Sequence, residues 1–105
     1  MRCLKPVYAG KSASVRKTEI LRALRRGKPE LGVYVITRAV DSDGILDIYH
    51  SVVFLSAYCR KKDPLVLGIA CGKREAMEVA RRIVDDMYHR NGDFDIDSFC
   101  DSQHT

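Results

Sequence analysis

The chain has no tryptophan, no Cys-x-x-Cys pair, only three prolines and no long apolar run. Each absence excludes something. Without ~20 consecutive apolar residues no segment reads as a membrane-spanning helix. The opening MRCLKPVYAGKSAS also lacks the apolar core of about 7 to 15 residues that a secretory signal carries. A soluble, cytoplasmic protein is expected. In that setting Cys3, Cys59, Cys71 and Cys100 are expected as thiols rather than as two disulfides. The missing Cys-x-x-Cys removes both the redox pair and the usual zinc half-site. Cys71, following Ile69 and Ala70, reads as a small core residue. Three histidines stand at 50, 89 and 104, with no two at i, i+4 spacing, so neither a metal centre nor acid–base machinery assembles. The expectation is a protein that is not an enzyme and needs no cofactor.

What is present fits one small domain. The 105 residues are 46% apolar and 30% charged, enough for a modest core and too few for a cofactor-sized doubly wound sheet. The net charge is +4, unevenly laid out. Residues 1–30 hold nine Lys or Arg against two acids, and the remainder holds nine against twelve. From Ile83 onward there are six aspartates and one arginine. Either the two ends pack together, or the basic head faces an anionic partner.

Periodicity predicts an α+β fold of order α-β-β-β-α. Residues 1–13 have no apolar period and read as a loose basic arm, residues 14–97 as the single domain and residues 98–105 as a frayed acidic tail. In VRKTEILRALRR, Ile20, Leu21 and Leu24 share a helical face while Arg22, Arg25 and Arg26 lie opposite; Gly27 and Pro29 end it. LGVYVITRAV (31–40) is apolar on both alternating faces and wants cover on both. Asp41-Ser42-Asp43-Gly44 reads as a turn into ILDIYHSVVFL, with Leu46, Ile48, Val52 and Phe54 on one side of a second strand. Arg60-Lys61-Lys62-Asp63-Pro64 reads as a polar loop before a third strand, PLVLGIAC, whose Gly68 and Ala70 let a helix approach closely. That helix, KREAMEVARRIVDDMYHR, sets Ala76, Val79, Ala80, Ile83, Val84 and Met87 on one half of the wheel, with Glu78–Arg82 and Arg81–Asp85 at i, i+4. The expected architecture is a three-stranded antiparallel sheet with both helices packed on one face. Its other face would then leave an apolar patch suited to self-association.

Several motifs fall short of their chemistry. GIACGKREA has its glycines one residue too close for a P-loop, and Arg74 replaces the hydroxyl residue. Lys73 and Arg74 at a helix start still favour an anion. Asp93-Phe94-Asp95-Ile96-Asp97 opens like a calcium loop, but Ser98 and His104 stand where Gly and a bidentate Glu are required. His50 beside Cys59 or Asp47 is a conceivable dyad, yet it shares the alternation of Ile48 and Val52 and reads as a core or interface histidine.

The element order, together with His50-Ser-Val-Val-Phe54 and Gly68-x-Ala70-x-Gly72-Lys73-Arg74-x-Ala76, resembles the double-stranded RNA-binding domain over about half the chain. The resemblance implies that Lys73 and Arg74 grip phosphates across a major groove. His50 and the first helix would then lie near minor grooves, reading A-form shape rather than sequence. The chain differs from that family in having Ile48-Tyr49 before the histidine and Met77 at the third lysine position. The candidate anion or nucleic-acid contacts are therefore Arg22, Arg25, Arg26, His50, Lys73 and Arg74. The competing expectation is a protein-interaction or homo-oligomerisation module, with a second copy as partner and no nucleic acid bound.

Overall fold

A computed structural model describes residues 1–39 and 44–91. The elements run β1 (Cys3–Ala9), α1 (Lys11–Val15), α2 (Lys17–Arg25), β2 (Val33–Arg38), β3 (Leu46–His50), α3 (Ser51–Phe54), α4 (Ala57–Lys62), β4 (Val66–Cys71) and α5 (Lys73–Asn91). The expected Asp41–Gly44 turn lies mostly, and the calcium-like run and the acidic tail entirely, outside the described residues.

The sheet has four strands in the order β1-β4-β2-β3, not three. β2 is antiparallel to both neighbours, while β1 runs parallel to β4, so the sheet is mixed. The additional strand comes from residues expected to be a loose arm. Cys3, Leu4 and Val7 are buried in it. Its pairing breaks between Cys3 and Tyr8, around the cis Lys5–Pro6 bond. Proline is tolerated there because β1 is an edge strand.

The helices also depart from expectation, because they cover both faces. Ala76, Val79, Ile83 and Met87 of α5 pack with Leu4, Ile36, Leu67 and Ala70 in one core. Ala13, Ile20 and Leu24 of α1 and α2 pack with Val33, Val35, Val66, Ile69 and Phe54 in another. The alternation of β2 explains this directly, since Val33 and Val35 serve one layer and Ile36 the other, and each buried aliphatic side chain gains about 1.5–3 kcal/mol by being covered. No bare apolar sheet face is left behind β2 and β4. In β4, Gly68 faces Ile36 and Val66 faces Thr37, so Leu67 is an additional residue that bulges the strand. A Cβ at Gly68 would stand 2.8 Å from Val79 Cγ1, which is why the strand is glycine where α5 crosses it.

Local signals fix the remaining ends. α2 stops in a Schellman motif: Gly27, at φ +73°, donates to Leu24 O at 3.0 Å and Lys28 donates to Ala23 O at 2.9 Å. The expected second strand ends at His50. Beyond it Ser51 and Phe54 are buried while Val52 and Val53 are exposed, a spacing of three that belongs to a helix. The segment read as a loop at 60–62 is the last turn of α4, which starts where Ser56 Oγ accepts from Cys59 N at 3.4 Å.

Candidate functional site

The basic residues singled out in the sequence fall into two groups. Arg22, Arg25 and Arg26 are exposed on the outer side of α2. Arg25 and Arg60 line one cavity of about 220 Å³ with Leu24, Phe54 and Cys59, so α2 and the basic end of α4 border the same opening. Arg60, Lys61 and Lys62 were missed as candidates because they read as a loop. The signal that reveals them is Ser56, three residues before Cys59, in an N-cap position. Cations in a last helical turn are favoured by the helix dipole, and Lys62 also stands 4.3 Å above the Tyr58 ring.

Lys73 and Arg74 are exposed at the start of α5, in the opposite layer from α2. The next residue, Glu75, turns back across the gap between layers. Its carboxylate accepts from Ser12 N at 2.7 Å, Ala13 N at 3.3 Å and Cys71 N at 2.5 Å. It thereby caps α1 and fastens it to the exit of β4. Burial alone would raise the pKa of Glu75, but the three backbone donors outweigh it and hold the carboxyl below its ordinary value. A Cβ on Gly10 would overlap the Glu75 side chain, so this clamp requires a glycine there. Burial, reinforced by the Glu75 charge, raises the Cys71 thiol pKa. Cys3, Cys59 and Cys71 are all free thiols, and Cys71 is half-buried rather than fully in the core.

His50 serves the backbone. Its Nδ1 faces Val52 N at 3.1 Å, capping α3, its Nε2 faces Gly32 N at 3.2 Å, and its ring meets Tyr34 edge-on at 5.2 Å. A neutral imidazole has one acceptor nitrogen, so it takes one of these donors at a time. Asp47 points to the other side of β3, where Tyr49 donates to it at 3.2 Å. This charge and burial of the phenol raise the Tyr49 pKa to about 12, with burial the larger cause. His50 and Asp47 are thus separated by the strand's own alternation.

Among the described residues, Arg2 pairs with Asp63 at 3.0 Å, and Arg16 with Glu19 at 3.0 Å and Glu30 at 2.7 Å. Arg82 does not pair with Glu78 as its spacing predicted, but donates to Ala9 O at 3.1 Å.

A second feature lies beside β3. α5 packs mainly over the central strands β4 and β2, and a groove of about 630 Å³ opens between it and the edge strand β3. Ile45, Leu46, Ile48 and Val84 make its apolar lining; Met77, 59% exposed, stands with Arg74 and Arg81 along its rim. Among the described residues, no cluster of three or more His, Cys, Asp or Glu side chains is arranged to hold a metal ion, and no helix is long and apolar enough to cross a membrane. Comparison of the chain with protein-family models, with curated proteins and with solved structures found no match.

Proposed function

We propose that this protein is a non-enzymatic binding module that contacts the phosphate backbone of a nucleic acid through Arg22, Arg25 and Arg26 of α2 and the Arg60–Lys62 end of α4. The observation that supports this is that Arg25 of α2 and Arg60 of α4 border one opening. Such contacts supply affinity and no base choice. The resemblance to the double-stranded RNA-binding domain selects the probe. Lys73 and Arg74 give a second basic point in the other layer, while His50 is occupied with Val52 and Gly32 and contributes through the shape of the β3–α3 corner. In a binding assay with a labelled RNA duplex of ~20 base pairs, affinity should fall by orders of magnitude between ~50 and ~200 mM salt and weaken in the Arg22→Ala, Arg25→Ala, Arg26→Ala protein. No binding at the lower salt refutes the reading.

A second reading, self-association, is favoured by the groove beside β3 and by that strand's place at the edge of the sheet among the described residues. It requires a dimer or larger species by light scattering; a monomer at high concentration removes it.

A further inference from the structure

At the opposite edge of the sheet, β1, the α1–α2 junction and the second half of α5 enclose a cleft of about 430 Å³. Lys17, Arg82 and Arg90 line it, and Pro6 and Val7 give it an apolar side. Arg82 is held in place by its bond to Ala9 O at 3.1 Å and by its position 5.7 Å over the Tyr8 ring. Tyr8 donates to Asp86, and burial together with that carboxylate raises its pKa, so the phenol stays neutral. Lys17 and Arg90 make no ion pair among the described residues. Three cations therefore line a concave space, with the Asp86 carboxylate beside Tyr8. A concave wall focuses their field. A guanidinium fork held by its own backbone bond suits a planar pair of phosphate oxygens, with Lys17 as a point charge beside it. The apolar side offers contact to whatever carries the phosphate.

We propose that this cleft binds a phosphate group borne on an organic body, either a free phosphomonoester such as a nucleotide or one phosphodiester of a strand. It lies on other residues than the α2–α4 surface and does not rest on the reading given for that surface.

The test is a set of titrations of the full chain followed by backbone amide shifts, using inorganic phosphate, adenosine 5′-monophosphate, adenosine and the RNA duplex. Phosphate and the nucleotide, or the duplex, should shift the amides of Tyr8, Ala9, Ser14 and Lys17, while adenosine should not. Lys17→Ala with Arg90→Ala should weaken the effect about tenfold, the scale of a charge-assisted contact. Asp86→Asn, which removes the neighbouring negative charge, should tighten it. A response to the nucleotide identifies a free phosphomonoester, and a response to the duplex alone identifies a strand; either upholds a phosphate site. Silence of these amides with every phosphate, or shifts unchanged in the double variant and in Asp86→Asn, overturns it. Loss of duplex binding in the α2 variant with the Tyr8 and Lys17 responses to phosphate or nucleotide intact separates this site from the other surface.

Discussion

Replacing Glu75 by glutamine tests how the two layers are held together. One carboxylate oxygen accepts from Ser12 N and the other from both Ala13 N and Cys71 N. Glutamine keeps one acceptor and turns an NH₂ toward a backbone N–H, so at least one bond is lost and donor faces donor. Hydrogen bonds to a charged group contribute about 1.5–3 kcal/mol each when buried, and this group is only partly covered, so a total loss of about 2 kcal/mol is expected. In a domain of this size that lowers the melting temperature by roughly 8–15 °C. Thermal unfolding followed by circular dichroism measures it. The pH dependence gives a second readout. The folded pKa of Glu75 is depressed, so its contribution is complete above the ordinary carboxylate range and is lost as pH falls through the lowered folded value. Glu75→Gln should therefore cost stability at neutral pH and progressively less in acid. An unchanged melting temperature at pH 7, or a deficit that stays constant down to low pH, would refute the clamp.

Gly68→Ala places a methyl against Val79 and should destabilise by about 1–3 kcal/mol in denaturant titration, with Val79→Ala in the same chain restoring part of the loss. Ser51→Ala removes a buried hydroxyl that accepts from Glu30 N at 3.0 Å and donates to Glu30 O at 2.7 Å, at a cost of about 1–3 kcal/mol measured the same way. Ile48→Lys charges the groove beside β3 and should abolish any concentration-dependent mass seen in sedimentation while leaving duplex affinity unreduced.

The parts legible in the sequence are those with a strong local period or a single deciding residue. Ala76, Val79, Ile83 and Met87 announce α5, and Gly27 marks the end of α2. β1 was hidden because Lys5 and Pro6 interrupt its alternation and its partner β4 lies about sixty positions away, so nothing local reports the pairing. The apolar set on both faces of β2 demands two covers, whereas three strands alone suggest both helices in one layer; the connection from β1 across β4 to β2 is what carries α1 and α2 onto the face opposite α5. Val52 and Phe54 fit a strand's period of two while Ser51 and Phe54 fit the spacing of a short helix, and the His50 cap decides between them. For the candidate site, Arg22, Arg25 and Arg26 were readable from the helical wheel. Their neighbour Arg60 was not, because its approach to Arg25 is a tertiary fact.

The central claim, a backbone-gripping basic surface formed by α2 and α4, is tested most directly by the slope of log K against log salt for duplex binding. It should be steeply negative in the native chain. It should become shallower by about one for each phosphate contact removed when Arg22, Arg25, Arg26 and Arg60 are replaced by alanine. A slope near zero, or one that the fourfold substitution leaves unchanged, would contradict the account.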